Sequence, residues 1–197
     1  MILAIIAPAA MVWFVFKPIP VASMPVAQMW EWVAVASGIA LVVNASTEAI
    51  AIRRPGSAAA LVLGPTAAGI GAMLLLIGTI KLGWMGAAIA LMILGWFTAT
   101  LIGKNISLSR GPVYVVVTLL AGLLTYDYFE SGDITLVQIS LVSTAPLLAW
   151  IVEAPPMRRW KAWKRELLRM VIIFIPIAVA VGMAVVQFRQ DSAEGGG

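Results

Sequence analysis

Apolar runs of about twenty residues recur along this chain, and few folds can accommodate them. They fall near residues 2–16, 32–52, 58–80, 84–103, 112–129, 134–153 and 167–188, separated by short stretches of charge, glycine and proline. A helix needs ~20 residues to cross the ~30 Å hydrocarbon core of a bilayer, and most of these runs match that length. With 62% apolar and 11% charged residues among 197, the chain has more apolar surface than a soluble core of this size could bury. The surplus must face lipid. Hydrocarbon offers backbone N–H and C=O groups no partner, so each crossing is a helix or part of a closed barrel, and unbroken apolar runs lack the alternation a barrel requires. The expectation is an all-α, polytopic transmembrane bundle of about seven short spans. The count falls to six if residues 2–16, which end early at Lys17-Pro18, lie only along the interface. One domain covers residues 1–189, and the polar, glycine-rich stretch 190–197 reads as a disordered tail.

The connections test this partition independently, because cytoplasmic loops collect lysine and arginine. Arg53, Arg54, Lys104, Arg110, Arg158, Arg159, Lys161, Lys164, Arg165 and Arg169 fall after spans 2, 4 and 6 and make up ten of the thirteen basic residues. The alternate connections hold Lys17 and Lys81, or the acids Asp127, Glu130 and Asp133. This alternation places the basic loops in the cytoplasm and the C-terminus outside, in a membrane of the bacterial inner type. Tryptophan favours the headgroup level, and Trp13, Trp30, Trp32 and Trp84 fall at one expected boundary while Trp150, Trp160 and Trp163 fall at the other.

Cysteine and histidine are both absent. That excludes disulfides, a thiolate nucleophile, a Cys/His zinc site, histidine-ligated haem and an imidazole base. No residue pattern asks for a cofactor or a resident metal.

Small residues mark where membrane helices can approach. Ala60, Gly64, Ala68 and Ala72 repeat at a spacing of four in the third run, and Ala87, Gly95 and Ala99 follow the same register in the fourth. A four-residue step drifts only ~40° per repeat, so each set forms a nearly continuous groove. These two runs are expected to form a close antiparallel hairpin, with leucine at Ala68 or Gly95 lowering stability.

The polar residues inside spans are the candidates for function. Glu48 lies inside the second run, and Ser37, Asn44 and Thr47 extend a polar stripe on the same helix. One reading makes Ser37, Asn44, Thr47 and Glu48 a proton or cation site facing the bundle interior. The plainer reading has Glu48 reach the interface and pair with Arg53, Arg54 or Lys104. Ser140, Ser143 and Thr144 in the sixth run could line a pathway or bond back to their own helix.

Asp127, Glu130 and Asp133 form the one acidic cluster with enough carboxylates for outer-face cation binding or acid–base work. They do not reproduce the paired-aspartate arrangement of intramembrane proteases. Glu130 stands where that motif has glycine, and both aspartates belong to one connection. Residues 157–169 read as a basic amphipathic helix along the inner leaflet, where Arg158, Arg159, Trp160, Lys161, Trp163, Lys164 and Arg165 would meet anionic lipid. The partners implied are the bilayer, anionic lipid at the cytoplasmic face, and other membrane subunits or further copies of the chain; nucleic acid is not among them. The functional expectation is a non-enzymatic subunit of a membrane complex or a small transporter, the alternative being a lipid-directed or intramembrane enzyme using the acidic outer loop.

Overall fold

The computed structural model describes residues 26–53, 58–102, 111–130, 133–154, 157 and 160–194. Among them are six helices long and apolar enough to cross a membrane: α1 (Val26–Arg53), α2 (Ala58–Leu76), α3 (Ile80–Ile102), α4 (Gly111–Glu130), α5 (Leu136–Leu148), extended by a 3-10 turn over Ala149–Glu153, and α6 (Ala162–Glu194). The protein is an all-α polytopic bundle. The run at residues 2–16 lies outside the described residues.

The helices pass back and forth, so the basic end of the bundle gathers the C-terminus of α1, the 3-10 turn after α5 and the N-terminus of α6. Arg53 against Trp150 and Glu153 against Arg169 bring these three together. At the opposite end Trp32 of α1 packs on Tyr128 and Phe129 of α4, with ring centroids 5.7 Å from each. There the Gln187 amide of α6 also donates to the Asp133 carbonyl at 2.9 Å.

Lipid tails are as apolar as a leucine side chain, so burial inside the bundle depends on close fit rather than on hydrophobicity. Helix α2 is the centre, with 61% of its most apolar stretch buried, whereas α3 stands at the edge with 11%. They form the antiparallel hairpin expected from sequence, and the contact between them is the most extensive in the bundle. The turn comes earlier than the apolar pattern suggested, because α2 ends in a Schellman motif. The Thr79 N–H bonds to the Leu74 carbonyl at 3.1 Å, the Gly78 N–H bonds to Leu75 at 3.3 Å, and Gly78 sits at φ +100°. That conformation costs a side-chain-bearing residue about 1–2 kcal/mol. We expect Gly78→Ala to lower the melting temperature in detergent by a few degrees, and an unchanged value would mean the turn relaxes into another form.

The residues that seat the hairpin differ from those expected. A Cβ on Gly71 would lie 2.8 Å from the Ala87 nitrogen, and one on Gly86 would lie 2.7 Å from the Gly71 Cα. Gly83 fits under Leu75, and Gly69 fits under Ile177 of α6. Of the expected set, Ala60 is buried, Gly64 faces Ile93, and Ala72, Ala87 and Ala99 are half-buried. Ala68 and Gly95 are exposed, and nothing lies within 4 Å of where a Gly95 Cβ would be. Leucine is therefore expected to be tolerated at both, contrary to the sequence expectation. A helix that is small and apolar on every side does not reveal which side packs.

Helix α1 buries a seam of Val33, Ser37, Ala40, Asn44, Thr47 and Ala51, spaced alternately by four and three. Helix α5 starts with a capping box, in which the Thr135 N–H donates to Gln138 Oε1 at 2.8 Å and the Gln138 N–H to Thr135 Oγ1 at 3.3 Å. Pro146 lies in its last turn, just before the chain tightens into the 3-10 form.

Helix α6 is 33 residues long, ~50 Å at 1.5 Å per residue. It overturns two expectations. Residues 162–169 are its first two turns rather than a separate helix, because no glycine or proline interrupts the chain between Ala162 and Pro176. The stretch expected to be disordered from residue 190 is helical as far as Glu194.

Candidate functional site at the basic end of the bundle

The polar stripe of α1 comes to one face, as its spacing implied. Ser37, Asn44 and Thr47 are buried and Glu48 is half-buried. The Thr47 hydroxyl donates to the Val43 carbonyl at 2.8 Å, so its proton is used within its own helix. Ser37 Oγ and Asn44 Oδ1 are sealed from solvent without a hydrogen-bond partner. None of the four lines the small cavity of about 40 Å³ at the bundle centre, whose walls are Ala40, Val43, Leu63, Leu120, Val142 and Pro146 with the hydroxyls of Thr66 and Ser143. Thr66 bonds to the Val62 carbonyl at 2.8 Å.

A wider groove of about 330 Å³ opens between α1, α4 and α5 near Trp32 and Tyr128. Thr125 and Ser140, which border it, bond to Ala121 and Leu136 carbonyls of their own helices at 2.8 and 2.7 Å. Thr144 likewise bonds to Leu141. Of the hydroxyls expected to line a pathway, those of Ser140 and Thr144 are thus spent locally.

The acidic residues do not form one site. Helix α4 continues to Glu130, which makes Asp127 a helical residue on the inward stripe of Val113, Val116, Leu120 and Leu123, and its carboxyl is fully buried. Glu130 and Asp133 are exposed. Among the described residues no group of three or more His, Cys, Asp or Glu side chains could hold a metal ion. A shared cation or acid–base role for Asp127, Glu130 and Asp133 loses its geometric basis here.

The densest polar constellation lies elsewhere. Arg169 of α6 is completely buried, with Nη2 2.6 Å from Glu153 Oε1 on the 3-10 turn and Nη1 2.5 Å from Glu166 Oε2 one turn earlier. Both contacts are charge-assisted and stronger than neutral hydrogen bonds. A buried arginine without partners would be costly at membrane depth, and here two carboxylates answer it. Three residues before Glu153, Trp150 carries the Arg53 guanidinium 4.6 Å from its ring centroid, a cation–π contact that ties α1 to α5. Residues three apart eclipse in a 3-10 turn, so Trp150 and Glu153 share a face, and Arg165 and Arg169 share one on α6.

Around this core the surface is basic and aromatic. Trp160, Lys161, Trp163 and Lys164 are exposed, Lys164 Nζ lies 5.6 Å from the Trp163 ring, and a cleft of about 220 Å³ opens beside Trp160, Lys161 and Lys164. Arg165 is half-buried. Arg158 and Arg159 lie outside the described residues.

Sequence reasoning counted Arg169 with the loop charges and passed over Glu153 and Glu166. A signal was available. Arg169 follows Leu167 and Leu168 into the last apolar run, beyond the point where a topology charge is needed. No protein-family model matches the chain, and no curated protein or solved structure matches it.

Proposed function

We propose that this chain is a non-enzymatic subunit of a membrane complex, held in a bacterial inner membrane with its basic end in the cytoplasm. The observation that carries this reading is the aliphatic centre of the bundle. A carrier needs polar groups converging on a cavity at the midplane. Here the central cavity is walled by Val43, Leu63 and Leu120, while Asn44, Thr47 and Glu48 lie off it. An enzyme would need convergent acids, bases or nucleophiles, and here Asp127 is buried while Glu130 and Asp133 are exposed. The exposed Trp160, Lys161, Trp163 and Lys164 suit an inner leaflet rich in anionic lipid, where each lysine or arginine gains ~1 kcal/mol.

A small carrier is the second reading, favoured by the buried and unpartnered oxygens of Ser37 and Asn44. Purification from the native membrane in mild detergent, with mass and identity of co-migrating chains, separates the two. The subunit reading expects partners in fixed stoichiometry. A lone protein whose solute flux in liposomes is abolished by Glu48→Gln would replace it with the carrier.

A further inference from the structure

We infer that one acyl chain of a phospholipid seats in the groove between α1, α4 and α5, in the leaflet at the aromatic end of the bundle. The groove has two adjoining parts, about 330 Å³ against α4 and about 450 Å³ along α1 and α5, with Val35, Ile39, Ser140 and Ser143 bordering both. It exists because α4 and α5, although consecutive, scarcely touch among the described residues. Helix α4 leans on α1 through the contacts of Trp32 with Tyr128 and Phe129, and α5 packs chiefly on α6. A gap of this size in an apolar bundle forfeits dispersion contacts unless something fills it. The walls decide what that is. Ala121, Leu124 and Ile139 are apolar, and Thr125, Ser140 and Thr144 spend their hydroxyls on carbonyls of their own helices. Water needs several polar partners to stay in such a place. Val35, Val42 and Leu136 on the rim are exposed and lie inside spans, so the groove opens to hydrocarbon.

Length selects a lipid chain over a partner helix. The groove follows α1 from Trp32 to Val42, which rises ~15 Å, half of the ~30 Å hydrocarbon core. Beyond it the gap closes. Ile50 of α1 and Ala145 and Ala149 of α5 are buried in one cluster, and Arg53 on Trp150 ties α1 to the turn after α5 at the basic end. A spanning helix would need a seam through both leaflets, whereas a chain anchored in one leaflet needs only half. Trp32 and Tyr128 stand at the mouth, where amphipathic rings suit the headgroup level. Gly38 supplies room, since nothing lies within 4 Å of where its Cβ would be. Among the described residues no charged side chain lines the groove, so it selects the chain and not the headgroup. The inference concerns the packing of the bundle itself and does not rest on the subunit reading.

The test uses the full chain stripped of lipid in a sterol-based detergent, whose rigid tail is a poor mimic of an acyl chain. Its melting temperature, and its mass with bound lipid in the gas phase, are measured with added phosphatidylcholine and with phosphatidylglycerol of the same acyl chains. In hundredfold excess over its Kd, each lipid should raise the melting temperature by about 5–10 °C, and one lipid should stay on each chain. Gly38→Leu and Ser140→Phe each put a side chain into the groove. Both should melt at or above the lipid-free parent, because the gap is filled, and should lose most of the shift and the bound lipid. Gly95→Leu, on the open face of α3, should keep both. The inference is overturned if the parent responds to neither lipid, which would leave the groove to residues 2–16 or to a second copy of the chain. A response to phosphatidylglycerol alone also overturns it, because headgroup charge would then be the cause. So does a full shift in both groove variants, or melting of both well below the lipid-free parent, which would mean that the space is already packed.

Discussion

Replacing Arg169 with alanine should cost the protein about 3–5 kcal/mol of stability, read as a fall of roughly 10 °C in the melting temperature in detergent. The side chain is wholly buried, and its removal takes from the buried Glu153 and the half-buried Glu166 a cation that offsets their desolvation. The size of the effect comes from the groups left behind, not from the net worth of the ion pairs. For that reason the triple replacement Arg169→Met, Glu153→Gln and Glu166→Gln should recover most of the loss, because no uncompensated buried charge remains. A single variant that melts like the parent would mean that water reaches the cluster. A triple variant as unstable as the single one would mean that the charges themselves hold α6 against the turn after α5.

This cluster also shows where reading the sequence stops. The apolar runs and the alternation of charged connections were legible because each depends on local composition, and they led to a polytopic helical bundle with a hairpin between α2 and α3. Burial of Arg169 depends on Glu153, sixteen residues away across a turn, and no local pattern carries that pairing. Asp127 failed for a different reason. Its acidity suggested a loop, yet the inward register of Val113, Val116, Leu120 and Leu123 reaches it in steps of three and four, so the burial was readable from periodicity once α4 is extended to Glu130. The polar stripe of α1 has Ser37, Asn44 and Thr47 buried and Glu48 half-buried. Its lack of a cavity was not foreseeable, because cavities depend on what four helices bring together.

Alanine at Gly71 or Gly86 should destabilise the α2–α3 hairpin, while leucine at Gly95 should leave stability unchanged. A Cβ on Gly71 would meet backbone atoms of α3 at 2.8 and 3.0 Å, and one on Gly86 would meet the Gly71 Cα at 2.7 Å. Real Cβ atoms do not approach backbone so closely, and backbone cannot rotate aside as a side-chain tip can, so the two helices must part. Overpacking of this kind costs about 1–3 kcal/mol for one methyl, and a leucine at either glycine should exceed that. In the bilayer the helices gain nothing from hydrophobicity when they touch, so separation removes the dispersion contacts that hold them. Gly95 is the same residue type on the same helix as Gly86, yet open space surrounds it. The comparison therefore tests contact geometry with composition held fixed. Equal losses at Gly86 and Gly95 would show that α3 turns a different face to α2, and the seating of the hairpin would have to be redrawn around Gly95 and Ala99.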